Sequence, residues 1–330
     1  MKPIVTFLLL ITLSLYLQSC ETKPKSEIDV STIKVDVKIK RFEKEIFSLK
    51  SKQEIENFLK KNQQFALSFF QYSGKVEDSV TINEIYNRIK NTDLRKFEKQ
   101  VETEYADIKD LENQFSNAFK HIKHYFPTFR EPQIYTMVSG FLPEKDLTVS
   151  DSVIIIGLDY FMPPKAMYVP DLPEYMLKRY KRPYIVPISI LALSGKYTRV
   201  DLADQTLLAD MIGFGKSLQF TSYMLPQVPD SIIIGYTAQQ LKDIEQTKEL
   251  IWSHYVKEGL FYSTNHFIKP KYVGERPYTV EIGQSIPPRT GWWLGWQMVK
   301  KYMDKGHTLQ ETLANLDSKK IFTESGYKGK

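Results

Sequence analysis

The chain has 330 residues, 42% apolar and 13% aromatic, with a formal charge of +6, one cysteine and five histidines. That much apolar surface excludes a disordered polymer, and a lone cysteine excludes an intramolecular disulfide or a cysteine-based metal cluster. The basic residues are spread along the chain and form no concentrated patch, so no nucleic-acid partner is expected.

Residues 1–19 read as targeting. Lys2 supplies a positive start, and Ile4 to Leu17 form a nearly unbroken apolar run, shorter than the roughly twenty residues a membrane-spanning helix needs. The run ends at Leu17-Gln18-Ser19-Cys20, which is similar to a lipobox, with Gln18 departing from the usual small residue. The expected organisation is a lipoprotein signal peptide over 1–19, a lipidated tether over 20–27 and a single helix-rich domain over 28–330. Acyl chains on Cys20, at about 0.8 kcal/mol per buried methylene, would make attachment to the membrane effectively permanent.

Beyond the tether, Ile33 to Ile39 alternates strictly between apolar and polar residues and predicts a half-buried strand. Helical spacing follows over Arg41–Phe47, Gln53–Phe70, Asp78–Ile89 and Glu104–Tyr125, the last with Leu111, Phe115, Ala118, Phe119, Ile122 and Tyr125 on one stripe. Pro127 ends that run. Gln133–Val138 and Val153–Ile156 predict two strands that pair as neighbours, joined by the loop from Ser139 to Ser152. Helices are then expected over Glu174–Arg182, Ile185–Tyr197, Asp201–Leu225, Thr237–Lys257, Arg289–Met303 and Thr308–Leu316, with Asp201 and the Thr237/Gln240 pair as start signals. Without repeat or linker, the pattern is that of one α/β domain, mostly helical, with a single small sheet.

Motifs for chemistry are sparse. The histidines, at 121, 124, 254, 266 and 307, never form H-E-x-x-H, the helical pairing that brings two imidazoles and a general base to one zinc. His121 with His124, and His254 with Glu258, have helical spacing for a shared metal, but structural roles are favoured for both pairs and no cofactor is expected. Ser139-Gly140 and Ser194-Gly195 lack the first glycine of a nucleophile elbow. Gly213-Phe214-Gly215-Lys216-Ser217 has the ending of a phosphate-binding loop, but its glycines stand two apart instead of five and lie inside an apolar helix. Lys178, Arg179, Lys181 and Arg182, around Tyr180, offer a contact for an anionic headgroup or glycan, against the favoured reading of a solvated helix end. Glycine interrupts two predicted helices, at Gly213 and Gly215 and at Gly291 and Gly295, at a cost of about 1 kcal/mol each relative to alanine. Close approach of two helices is the favoured compensation, ahead of a ligand cleft beside Trp292, Trp293 and Trp296. No catalytic residue is assigned; Asp159, Tyr160, Gly213, Gly215, Lys216 and the three tryptophans are the candidates for an interaction surface or cleft.

The lipobox, Ile33–Phe47 (IKVDVKIKRFEKEIF), Gly157–Phe161, Leu208–Pro226 and Gly291–Val299 (GWWLGWQMV), in that order, together resemble the GldB family of gliding motility lipoproteins, nearly end to end. The resemblance implies a Bacteroidetes envelope lipoprotein required for movement over surfaces, with protein partners in the gliding and type IX secretion machinery and no enzymatic activity. The same order is similar, more distantly, to zincin-type peptidases. Ile185–Tyr197 holds none of their histidines, and Gly213-Phe214-Gly215 stands where a Glu-Gly pair is expected, which implies a degenerate pseudoenzyme. Glu21-Thr22-Lys23-Pro24-Lys25 carries one acid and two bases, unlike the acid-rich surface-export signals of Bacteroidetes, and points to a periplasm-facing position on the outer membrane. The rival expectations are an envelope hydrolase working through Asp159, Asp171 and Glu174, and a lipid- or glycan-binding module built on the three tryptophans.

Overall fold

Val153-Ile154-Ile155-Ile156 is buried at every position, and a strand without a polar face belongs in the interior of a sheet. In the computed structural model, which describes residues 28–74 and 78–330, this segment is central in a four-stranded sheet. The strands are β1 (Lys40–Arg41), β2 (Gln133–Met137), β3 (Leu147–Val149) and β4 (Val153–Gly157), in the order β1-β2-β4-β3. β2 runs parallel to both β1 and β4, and β3 closes the edge antiparallel to β4. The two strands expected from sequence are therefore neighbours, and their connection contributes a short strand of its own. Ile33 to Lys330 forms one compact, mostly helical unit around this sheet. The signal peptide, Cys20 and the tether lie outside the described residues.

Among the described residues, six helices precede β2: α1 (Phe42–Ser48), α2 (Lys52–Lys61), α3 (Gln63–Phe70), α4 (Ser79–Lys90), α5 (Thr92–Glu104) and α6 (Lys109–Tyr125). After β4 come α7 (Glu174–Leu177), α8 (Ile185–Leu193), α9 (Leu207–Met224), α10 (Asp230–Ile234), α11 (Ala238–Gln246) and α12 (Lys248–Lys257). The chain ends with α13 (Pro270–Val273), α14 (Thr290–Met303), α15 (Leu309–Ala314) and α16 (Ser318–Ser325).

The strand expected over Ile33–Ile39 does not join the sheet. Its alternation is real, with Val37 and Ile39 buried between exposed neighbours, but its backbone is satisfied by a helix. Val37 N–H donates to Ser116 Oγ at 3.0 Å and Ile39 N–H to Glu112 Oε1 at 3.0 Å, both acceptors on α6. Only Lys40 and Arg41 pair with β2. Asn62 divides the long helix expected over Gln53–Phe70, and Thr247 divides that over Thr237–Lys257. The helix expected from Asp201 begins six residues later. Asp201 and Asp204 accept hydrogen bonds from the backbone N–H groups of Ala203 and Thr206, turns that compete with helix, and the cap is Thr206, which accepts from Ala209 N–H. Helix α5, absent from the sequence reading, starts where the Asn91 side chain caps the N–H groups of Asp93 and Leu94.

Two apolar cores fill the unit. One packs α1–α6 and α8 around the sheet; the other gathers α10, α12 and α14 around the first half of α9. Helix α9 serves both, giving Leu207, Met211 and Leu218 to the second and Phe220 and Met224 to the first. A helix shared between two cores buries apolar residues around most of its circumference, and α9 has no exposed residue, with a partly buried stripe through Asp210, Phe214 and Ser217.

Candidate functional site

Asp159 lies in the tight turn that follows β4 and has no exposed surface. Its carboxylate accepts from Ser139 N–H at 3.0 Å, Ser139 Oγ at 2.9 Å and Phe141 N–H at 2.9 Å. Burial raises its pKa, while the donated hydrogen bonds pull the other way. Beside it the Tyr160 hydroxyl donates to the Leu142 carbonyl at 2.7 Å, so Asp159 and Tyr160 together hold the loop after β2, where Phe141 has a positive φ of 57°. Asp171 and Glu174 are exposed. The three carboxylates considered for hydrolysis thus have opposite environments, and Asp159 is sealed from any substrate.

The two glycine-bearing helices meet, and their contact is the most extensive between helices in the unit. A Cβ on Gly295 would stand 1.8 Å from the Met211 carbonyl oxygen, and one on Gly215 would stand 2.4 Å from the Gly295 carbonyl, so α9 and α14 touch backbone to backbone. A Cβ on Gly213, on the other side of the helix from Gly215, would stand 3.2 Å from Val200 Cγ1, away from the crossing. Lys216 is buried at this crossing and donates from Nζ to the carbonyls of Arg199, at 2.9 Å, and Asn315, tying α9 to the end of α15. Burial lowers its pKa to about 8.

Trp293 and Trp296 are core residues, each 1% exposed, and Trp296 donates to Gln219 Oε1 at 2.7 Å. Trp292 is half-buried, stacked on Phe214 at 4.1 Å between ring centroids. The three tryptophans therefore share no common cleft.

Trp292 instead leads to a pocket at the N-terminal end of α14 that the sequence reading missed. It is a shallow depression open to solvent, lined by residues from three distant stretches, among them Arg179, Tyr184, Tyr236, Glu275 and Arg289. Arg179 holds the Glu275 carboxylate through both terminal nitrogens, at 2.9 and 2.6 Å, and Arg289 Nη1 lies 3.8 Å from the same carboxylate. Arg289 is 4% exposed, donates from Nη2 to the Gly235 carbonyl at 3.1 Å and lies 4.9 Å from the Trp292 ring centroid. Burial, and then the neighbouring Arg179 charge, lower its pKa, while Glu275 raises it. Below, the Tyr236 hydroxyl donates to the Pro288 carbonyl at 2.5 Å. Of the basic stretch around Tyr180, Arg179 is spent here and Arg182 on Asp110, while Lys178 and Lys181 are exposed. The missed signal was Arg289 itself, a cation standing directly before an apolar helix.

Among the described residues, no three His, Cys, Asp or Glu side chains gather to hold a metal, and no helix is long and apolar enough to cross a membrane. A family model described as gliding motility protein GldB matches residues 23–329. The chain belongs to the GldB family. Membership carries a role in gliding motility and a lipoprotein character, and every element from α1 to α16 falls inside the GldB match. No curated protein and no solved structure is significantly similar to this GldB-family chain.

Proposed function

We propose that this chain is a noncatalytic, lipid-anchored component of the gliding apparatus. It acts through protein partners of the gliding and type IX secretion machinery, from the periplasmic face of the outer membrane, with Cys20 as the lipidated residue. The observation that carries the reading is that the residues suited to chemistry are consumed by packing: Asp159 accepts three internal hydrogen bonds, Lys216 caps two carbonyls, and Gly215 and Gly295 form a helix crossing. The distant zincin resemblance fits this reading as a lost catalytic centre. In support, helix α8 carries no histidine, and its Val186, Pro187 and Ile190 are buried.

Crosslinking in gliding cells, followed by identification of the attached proteins, tests the proposal; motility and secretion components are the expected catch. Turnover of a peptide or peptidoglycan panel by the purified protein, abolished by Asp159→Asn in a variant that still folds, would establish the hydrolase instead.

A further inference from the structure

We propose that the pocket between Arg179 and Arg289 binds a peptide-borne carboxylate, and that Glu275 occupies it as an internal substitute. The inference rests on the reading that the chain works by contact with proteins, and it supplies the chemistry of one such contact.

Three observations support it. First, two guanidinium groups, that of Arg289 buried and that of Arg179 partly exposed, converge on a single carboxylate, which leaves an excess positive charge at the site. Arg289 is more than nine-tenths buried and its Nε has no hydrogen-bond partner among the described residues, so this buried cation is answered only by the Gly235 carbonyl and, at 3.8 Å, by Glu275, and a better-placed anion would stabilise it. Second, this orphaned donor belongs to the residue that opens the 14-residue α14, a helix no side chain caps among the described residues, so the positive end of the helix dipole reinforces the arginines. Third, the backbone is shaped to hold the pair. Arg289 has a φ of 55°, and a Cβ on Gly235 would meet Arg179 Cδ at 2.7 Å and Arg289 Nη2 at 3.1 Å.

Glu275 shows which anion fits. Its planar carboxylate is gripped by both terminal nitrogens of Arg179, the fork geometry that favours carboxylates. Its side chain nevertheless remains 37% exposed, on the loop after α13, and can leave without unpacking a core. The floor beneath the arginines is aromatic, with Tyr184 and Tyr236 both buried.

The test uses the full-length chain in detergent and three probes: an N-acetylated dipeptide with a free C-terminal carboxylate, its C-terminal amide carrying one internal glutamate, and inorganic phosphate. Binding of either carboxylate peptide, with the better one naming the source, supports the proposal. Glu275→Gln is expected to tighten that binding about tenfold by removing the internal competitor, and adding Arg179→Gln to abolish it. Glu275→Asp, which keeps the charge but withdraws it from Arg179, provides the same comparison, with a smaller gain, if Glu275→Gln does not fold. Phosphate binding as tight as the peptides would overturn the carboxylate assignment. A Glu275→Gln protein that melts lower and is not restored by either peptide would show a structural clasp and overturn the site. Crosslinking to motility components that persists without any peptide binding would overturn this pocket alone and leave the proposed function standing.

Discussion

Asp159 and Lys216 are buried charges that the fold answers differently, and each predicts a distinct outcome. Asp159 faces only donors, so an asparagine amide must turn its NH2 toward at least one of them. Asp159→Asn is expected to cost about 1–3 kcal/mol, read as a lower melting temperature with the loop after β2 more open to protease. Among the described residues, Lys216 faces only carbonyls, with no carboxylate to hold its charge. Its pKa falls from 10.5 to about 8, so between those values the unfolded chain binds a proton that the folded protein has shed. Stability contributed by this group is therefore flat below pH 8 and rises through the window above it, by up to about 1.4 kcal/mol per pH unit. Lys216→Met should remove the rise. Denaturant unfolding of both proteins at pH 7, 8.5 and 9.5 checks this, and a difference between them that stays constant with pH would contradict it.

At the scale of elements, the crossing of α9 and α14 is the joint on which the second core depends. Gly295→Ala puts a methyl group into the Met211 carbonyl, a contact that backbone on both sides cannot relieve. Overpacking at the upper end of about 1–3 kcal/mol or beyond is expected, more than the 0.8–1.0 kcal/mol that alanine gains in helix propensity. Gly195→Ala is the control: nothing lies within 4 Å of its Cβ, and it should melt at or slightly above the parent temperature. A Gly295→Ala protein as stable as the Gly195→Ala protein would contradict the close crossing. This joint was legible in the sequence, because glycines four apart on an apolar helix have few other uses. The division of the long predicted helices at Asn62 and Thr247 was not, since the apolar spacing continues past both.

For the whole molecule, the lipobox-like run ending at Cys20 motivates the proposed lipid tether. Cys20→Ala is predicted to abolish lipid labelling, release the protein from the membrane fraction and stop spreading on surfaces. A variant that stays membrane-bound and motile would place the anchor elsewhere. Protease added to intact cells should spare the wild-type protein, as a periplasm-facing position requires; its removal would put the protein on the cell surface.

What the amino-acid order determined alone were properties read locally: the α/β class, the interior strand at Val153–Ile156, the helix stripes, the glycine pairing and the family. Each depends on periodicity or on a run of neighbouring residues, and burial enforces such patterns wherever the segment packs. Tertiary structure alone decided which partner each segment met. The alternating Ile33–Ile39 presents its apolar side chains inward as predicted, but Ser116 and Glu112 on α6 take the hydrogen bonds that a neighbouring strand would have taken. The pocket is the extreme case. Arg179, Gly235, Glu275 and Arg289 are spread over more than one hundred residues of chain, and only the packing of α14 against α9 brings α14's first turn to them. Each reads in sequence as a surface charge or a turn glycine, because the energy that buries Arg289 comes from the core around it and leaves no local pattern.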